Sequence, residues 1–397
     1  MNKALHNVEA AGAPAGPRWR DRRYWWWLLS PAFPLLVWLN VDAYAKSGHE
    51  AWLWLSSVVM YGLIPLLDWL LGEDRSNPPE SAVPALERQR WYRVIVVAFI
   101  PFQYLLTLHG AWIAAHHELS WFGWAGLIFS VGGINGVAIN TAHELGHKLP
   151  AWERWLSRIT LAPVAYGHFY VEHNRGHHRR VATPEDPASA RLGESFWAFL
   201  PRTMIGSVRS AWALERARLA GRGLGVWHWR NECLQAWAMT VLLFGALAVW
   251  LGPQVLLFLA VQAFYGASLL EVVNYIEHYG LLRPLGPDGR RVRCSPEHSW
   301  NSNHQVSNLF LYQLQRHSDH HAHPARRYQA LRHFDSSPQL PAGYAALLML
   351  AYLPPLWFRV MDPRVLAHYR GELSLANIQP GREDALRSRY RPLLARD

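Results

Sequence analysis

The chain has 397 residues, of which 51% are hydrophobic and 22 are Trp, and its formal net charge is +10. Only two cysteines are present, Cys233 and Cys294, which excludes a disulfide framework and an iron–sulfur or rubredoxin-type centre within the chain. The sequence has no basic helix with base-reading spacing and no RNA-binding signature, so we expect no nucleic-acid partner and assign the charge to membrane loops, anionic lipid or an acidic protein partner.

Six apolar segments are long enough to cross a bilayer, because about 20 helical residues cover its ~30 Å hydrocarbon core. The first segment follows the basic flank 18–23 and starts at the aromatic run 24–27, a pattern typical of a membrane anchor and not of a cleaved leader. Asp68 lies inside the second segment, where it is either functional or a cap near the end of the span. The predicted spans are 24–44, 51–72, 93–115, 121–142, 234–251 and 254–279.

The segments between the spans alternate in charge. The short links contain one basic residue, Lys46, and comprise 45–50, 116–120 and 252–253. The N-terminus, the link 73–92 and the long segments 148–233 and 280–397 are rich in arginine, and the positive-inside rule places these parts and both termini in the cytoplasm. We therefore predict an all-α integral membrane bundle of about six transmembrane helices with a cytoplasmic helical cap, forming a single domain over 1–397 in the cell inner membrane.

Histidine is concentrated in four places along the chain. Within three of them, histidines three or four residues apart share one face of a helix. Adjacent histidines such as His320 and His321 diverge by about 100°, so they can reach two different metals. The four groups are His143 and His147; His173, His177 and His178; His278; and His317, His320 and His321. Zinc prefers four ligands, so nine imidazoles indicate two metals with open coordination positions, and such nitrogen-rich sites suit redox-active iron.

Five carboxylates lie close to these histidines in the sequence. A metal-bound imidazole usually donates its second ring nitrogen to a carboxylate or a carbonyl oxygen. The candidates for this role are Glu144, Glu172, Glu277, Asp186 and Asp319. The sequence leaves open whether one of them bridges the metals instead, and whether others are solvated surface charges.

Two other site classes share part of this histidine pattern. The segment from His143 to His147 also matches the zinc-protease pattern H-E-x-x-H, in which the glutamate is the general base. A zinc protease needs one further ligand, and it would leave six clustered histidines without a role. A metal transporter would place its ligands near the middle of the membrane, whereas these histidines lie at the ends of spans and in the long polar segments.

The sequence resembles the membrane alkane 1-monooxygenase (alkane omega-hydroxylase) family, within the membrane fatty-acid desaturase and hydroxylase superfamily. The resemblance extends from about residue 24 to about residue 370 and is carried by Asn140–Lys148, Gly167–Asp186, Asn274–Arg283, Trp300–Asn308 and Leu314–Tyr328. Fatty-acid desaturases share three histidine groups but not the segment 274–280. Xylene and cymene monooxygenases share more of the pattern and are the nearest alternative.

The resemblance implies a non-haem di-iron site held by the nine histidines and the terminal hydroxylation of medium-chain n-alkanes to 1-alkanols with O2. It also implies electrons from NADH through a rubredoxin reductase and rubredoxin, and a basic face suits that typically acidic donor. An alkylbenzene methyl monooxygenase and a fatty-acyl desaturase or hydroxylase stay open as alternatives. Met60 in the second span is a candidate for the floor of the substrate cavity, although ordinary helix packing also explains it.

Overall fold

Six long helices dominate the computed structural model, which describes residues 19–394; Arg18 of the basic flank lies outside this range. Each is long and apolar enough to cross a membrane, so the predicted number of spans and the all-α class are confirmed. The spans are Trp26–Ser47, Glu50–Leu71, Arg90–His116, Trp121–Gly146, Glu232–Leu251 and Val255–His278. The fourth span runs four residues past its predicted end at 142, because its helix continues beyond the apolar stretch and carries polar side chains out of the bundle.

The second span is irregular along its length. It starts as a 3-10 helix at Glu50–Trp54, becomes α-helical at Leu55–Val58, passes through a π-helical turn at Val59–Leu63 and ends as the α-helix Ile64–Leu71. A π turn inserts one extra residue into the helical ladder, and such turns occur frequently at functional sites. Here it changes the direction in which the side chains around Met60 project.

The long segments between and after the spans fold into a helical cap, defined as residues 147–231 and 279–394. Within residues 19–394 the only β-type pairing consists of isolated bridges. The cap helices are Ala151–Leu161, Phe169–Val171, His178–Arg180, Phe196–Ala220, Gln305–Phe310, His317–Ala322, Tyr344–Ala351, Pro354–His368 and Glu383–Tyr390. The largest buried cluster joins the sixth span to this cap through Tyr275, Tyr279, Trp300 and Trp357. The sixth span and the cap therefore share one buried cluster, and packing fixes their relative position.

Glycines bring the fourth and sixth spans into close contact. A Cβ atom on Gly132 would lie 2.6 Å from the carbonyl oxygen of Gln262, and one on Gly136 would lie 2.9 Å from that of Gly266. Small residues allow membrane helices to approach this closely, where van der Waals contact replaces the hydrophobic effect as the source of stability. Because the two helices carry His143 and His278 at their ends, this approach sets the distance between two histidine groups.

The end of the cap helix Ala151–Leu161 is inserted between the spans. Its last carbonyl groups lack partners within the helix and would be costly to leave unpaired among apolar side chains. Polar side chains on three spans donate to them instead: Tyr104 to Ile159 O at 2.7 Å, Gln103 to Thr160 O at 3.0 Å, Thr240 to Ala162 O at 3.0 Å, and Gln262 to Pro163 O at 2.8 Å. These bonds fix the turn that leads directly into the second histidine group.

Asp68 acts as a cap within the fold. Its carboxylate accepts hydrogen bonds from the backbone nitrogens of Val306 at 2.8 Å and Ser307 at 3.1 Å, and from the Ser307 hydroxyl at 2.5 Å. These nitrogens belong to the first turn of the helix Gln305–Phe310, where backbone donors have no partner within the helix. Of the two roles that the sequence allowed for Asp68, a functional group or a cap, the contacts support the cap.

Candidate metal centre

The nine clustered histidines are brought to one place by four elements. His143 lies in the last turn of the fourth span, with His147 immediately after that helix, and His278 is the last residue of the sixth span. The second group lies on the π-helical turn Glu172–His177 and the short helix that follows it, and the fourth group lies on the helix His317–Ala322. A π turn aligns residues five apart, so His173 and His178 face the same way.

The histidines form two adjacent clusters whose ligand atoms lie within 4.8 Å of one another in each. The first, the five-histidine cluster, consists of His143, His147, His173, His178 and His320. The second, the four-histidine cluster, consists of His177, His278, His317 and His321. The neighbours His177 and His178 belong to different clusters, as do His320 and His321, so their divergence around the helix distributes them between the two sites.

The spacing of the ring nitrogens fits metal coordination. Neighbouring Nε2 atoms are 2.9–3.1 Å apart in the five-histidine cluster and 2.8–3.3 Å apart in the four-histidine cluster. A metal about 2.1 Å from each nitrogen places ligands at right angles about 3.0 Å apart. A neutral imidazole has only one N–H, and the His320 nitrogen lies close to two others, on His143 and His178, so protons alone do not satisfy the cluster. Both clusters therefore fit a metal site.

Burial keeps six of the clustered imidazoles outside the spans in their neutral form. Removal from water, reinforced by the neighbouring histidines, holds the pKa of His147, His173 and His178 well below the usual range. The same causes lower the pKa of His317, His320 and His321. The neutral imidazole is the form that binds a metal, so the protein holds these side chains ready for coordination without first removing protons.

Two of the five candidate carboxylates contact the clustered histidines. Nδ1 of His177 donates to Oδ2 of Asp186 at 2.8 Å. Burial alone would raise the pKa of Asp186, but His177 and a hydrogen bond from Ser189 hold that pKa below its ordinary value. Oε2 of Glu277 lies 3.1 Å from Nε2 of His317, on the metal-facing side of the ring, while its other oxygen accepts from the Tyr344 hydroxyl at 2.9 Å. Asp186 therefore orients the His177 ring from its Nδ1 side, whereas Glu277 lies on the Nε2 side of the His317 ring.

The other three carboxylates make ion pairs away from the ring nitrogens of the nine clustered histidines. Glu144 pairs with Lys148 at 3.0 Å, and Glu172 pairs with Arg180 at 2.7 Å. Asp319 accepts from Arg326 at 2.7 Å and from the backbone nitrogen of Arg332 at 2.9 Å. Each of the three follows or precedes a clustered histidine in sequence, so these pairs fix the backbone that carries the histidines and do not orient their rings.

A largely apolar cavity of about 90 Å³ leads from the clusters into the bundle. His143, His173, His317 and Glu277 line its metal end. The wall continues between the second, fourth and sixth spans and the cap helix Tyr344–Ala351. Its residues include Asn140, Gly136, Leu269, Leu348, Ile64 and Met60. Met60 thus lies on the cavity wall. Residues of the cap helix were missed by sequence reasoning, because their short apolar run carries no motif.

Comparison with known proteins is consistent with this site. The fatty acid desaturase family model matches residues 119–351. The chain is 46% identical over 97% of its length to an alkane 1-monooxygenase of Pseudomonas putida, covering 94% of that protein, and 45% identical over 93% of its length to alkane 1-monooxygenase 1 of Alcanivorax borkumensis, covering 92%. It is 28% identical over 60% of its length to the xylene/toluene monooxygenase hydroxylase component of Pseudomonas putida, covering 63%.

The comparisons confirm the resemblance found in the sequence. The alkane 1-monooxygenases match at higher identity and over much more of the chain than the xylene-type relative. The six apolar helices agree with a multi-pass membrane protein. The chain therefore belongs to the alkane 1-monooxygenase family, within the membrane fatty acid desaturase superfamily.

Proposed function

We propose that this protein hydroxylates the terminal carbon of medium-chain n-alkanes, using O2 and two non-haem irons held by the histidine clusters. One observation carries the proposal: two adjacent, largely buried histidine clusters lie at the end of a largely apolar cavity that enters the bundle. A linear hydrocarbon fits that shape and polarity. Similarity to several alkane 1-monooxygenases over nearly the full chain supports the same reaction.

The proposed iron ligands are the nine histidines, divided as the clusters divide them. The five-histidine cluster offers one more nitrogen than the four-histidine cluster. Glu277 lies beside the smaller cluster, with one oxygen 3.1 Å from the His317 nitrogen, so we assign its carboxylate as an additional ligand there. Asp186 keeps the His177 ring in the orientation that presents Nε2. A nitrogen-rich set of this kind suits iron more than zinc, which prefers four tetrahedral ligands.

The protein's own contribution to catalysis is a dry, shaped cavity. A bound di-iron centre supplies the oxygen activation that an alkane C–H bond requires, because such a bond offers no handle for acid–base or nucleophilic catalysis. The apolar wall excludes water and holds the chain with one end at the clusters. Each buried CH2 contributes about 0.8 kcal/mol, so affinity grows with chain length until the cavity is filled.

The balanced reaction needs a separate source of electrons. One alkane, one O2, two electrons and two protons give one 1-alkanol and one water. The chain has two cysteines, at positions 233 and 294, too few to hold a rubredoxin iron. We assign the electrons to reduced rubredoxin, with an NADH-dependent rubredoxin reductase upstream. The basic loops support a position of the cap, the site and both termini on the cytoplasmic side of the inner membrane, the side on which we propose that this soluble donor docks.

One experiment separates the candidate reactions. Purified protein is analysed for iron and incubated with rubredoxin, its reductase, NADH and one of three substrates: octane, p-xylene or a saturated fatty acyl thioester. The proposal predicts iron in the protein and 1-octanol as the dominant product. Faster oxidation of the xylene methyl group, or formation of an unsaturated acyl chain, would assign the site to one of the alternatives.

A further inference from the structure

We propose that a hydrogen-bonded pair of tyrosines, Tyr61 and Tyr265, closes the far end of the cavity and sets the preferred chain length at about 12 carbons. The inference rests on the proposed alkane hydroxylation and adds a specificity determinant to it. The two hydroxyl oxygens are 2.6 Å apart, and the bond joins the second span to the sixth. Both side chains are partly buried.

The position of the pair follows from its neighbours. Gly136 and Leu269 line the cavity, and about one helical turn farther from the clusters lie Gly133 and Tyr265. A Cβ atom on Gly133 would lie 3.6 Å from Cε of Met60 and 3.9 Å from Cε1 of Tyr265. The Met60 side chain and the Tyr265 ring therefore occupy the same level of the bundle, where the cavity wall ends.

A second contact between spans lies about one helical turn farther from the clusters. Ser56 and Ser130 form a buried hydrogen bond of 2.6 Å about one turn beyond Met60, and it joins the second span to the fourth. A chain that grows past Met60 consequently meets the tyrosine pair between the second and sixth spans. The π-helical turn Val59–Leu63 includes both Met60 and Tyr61, so one irregular turn supplies a cavity wall residue and half of the closure.

The spacing of residues along the fourth span gives the length of chain that fits between the clusters and the tyrosine pair. His143 at the clusters and Gly133 at the closure are ten residues apart in one continuous helix, which corresponds to a rise of about 15 Å. With C–C bonds of about 1.5 Å at an angle near 111°, an extended alkyl chain advances about 1.25 Å per carbon. An extended chain that reaches from the clusters to the closure therefore has about 12 carbons. Longer alkanes must displace the tyrosine pair.

The closure is weak enough to be displaced. A hydrogen bond between membrane helices contributes little, because the separated side chains find other partners. The ring of Tyr265 is a larger obstacle than its hydroxyl, and it is supported by Phe129 in an edge-to-face contact with ring centroids 4.8 Å apart. We therefore expect the wild-type protein to discriminate against alkanes such as hexadecane without excluding them.

The test measures chain-length preference in two variants of one residue. Wild-type protein, Tyr265→Phe and Tyr265→Ala receive equal amounts of dodecane and hexadecane, and the ratio of the two 1-alkanols is measured. Removing the hydroxyl alone should raise the hexadecane-to-dodecane ratio about threefold, the value of one average interhelical hydrogen bond. Removing the ring should raise it at least about tenfold, because several methylenes then find space.

A binding measurement and a control variant complete the test. In the absence of reductant, Tyr265→Ala should bind labelled hexadecane more tightly than the wild-type protein does. That result would assign the change in preference to the cavity and not to turnover. Tyr104→Phe removes a tyrosine hydrogen bond to the Ile159 carbonyl from the third span, none of whose residues lines the cavity, and should leave the ratio unchanged. An unaltered ratio and unaltered binding in Tyr265→Ala would overturn the inference while octane oxidation still stood. If the wild-type protein does not oxidise octane, the proposed function itself is rejected.

Discussion

Nδ1 of His177 and Oδ2 of Asp186 are joined by a 2.8 Å hydrogen bond, and both side chains are almost completely buried. The bond connects the four-histidine cluster to the loop that follows the second histidine group, and Ser189 holds the same carboxylate oxygen at 2.7 Å. Asp186 therefore fixes the direction in which His177 presents its other nitrogen.

Replacing Asp186 by Ala should weaken metal binding without unfolding the protein. Partners of metal ligands typically contribute about 10- to 100-fold in affinity, because they fix the ring orientation. Chelator competition with graded concentrations of a ferrous chelator measures this directly. Asp186→Asn keeps an oxygen acceptor and should retain much more of the affinity than Asp186→Ala. Equal affinities in the wild-type protein and Asp186→Ala would show that the hydrogen bond has no role at the site.

Asp68 should contribute to stability and not to chemistry. Asp68→Ala leaves the backbone nitrogens of Val306 and Ser307 without their acceptor, and loss of a helix cap costs about 1 kcal/mol. The expected result is a lower unfolding temperature in detergent with unchanged chain-length preference. Asp68→Asn retains one acceptor oxygen, so its unfolding temperature should fall by less than that of Asp68→Ala. A wild-type unfolding temperature in Asp68→Ala would contradict the capping role.

Asp362 should make the cap less stable as pH rises. Burial, only partly offset by hydrogen bonds from Tyr279 and Tyr390, raises the pKa of this carboxyl to about 6. Because the folded pKa exceeds the unfolded value, the stabilisation is complete below the unfolded pKa near 4 and is lost as pH rises to about 6.

The size of this effect is about 3 kcal/mol, since one pKa unit corresponds to about 1.4 kcal/mol. Asp362→Asn is the matched variant, because an amide is neutral at every pH in this range and can still bond both tyrosines. The free energy of unfolding, measured from pH 4 to pH 7, should fall more steeply for the wild-type protein than for the variant. Parallel curves would show that Asp362 is not the group responsible.

Met60→Ala should extend the cavity at its far end. The Met60 side chain is 8% exposed and forms part of the wall, so truncating it opens space equivalent to a few methylenes. The product ratio from hexadecane and dodecane should rise by about one order of magnitude. Val58 lies on the same span but is 60% exposed on its outer surface, so Val58→Ala is the control. An unchanged product profile in Met60→Ala would remove this residue from the substrate site.

The sequence predicted the parts of the site that depend on periodicity and composition. Apolar length identified the spans, and i, i+4 spacing identified the faces of His143 and His147. It could not reveal the π turn that aligns His173 with His178, because one inserted residue leaves no signature in the side-chain pattern. Nor could it rank the five carboxylates, since the choice of Asp186 and Glu277 depends on contacts between elements distant in the chain.

Tertiary contacts also decide the roles of single polar residues inside the spans. Asp68 caps a helix through backbone nitrogens that lie 238 and 239 positions later in the chain, and Tyr265 meets Tyr61 across 204 positions. Neither relationship follows from local sequence, because it requires the register between two helices. The ends of the spans differ from the predicted ends by up to four residues. The largest difference is in the fourth span, whose helix continues past its apolar stretch to reach the cap.

The metal content of single-histidine variants tests the central claim most directly. His317→Ala removes a ligand from the four-histidine cluster, His320→Ala removes one from the five-histidine cluster, and His116→Ala alters an exposed histidine outside both. We predict two irons per chain in the wild-type protein and in His116→Ala, a loss of iron in each of the other two variants, and no oxidation of octane by either. A single zinc per chain, or full octane oxidation by His317→Ala or His320→Ala, would contradict the account.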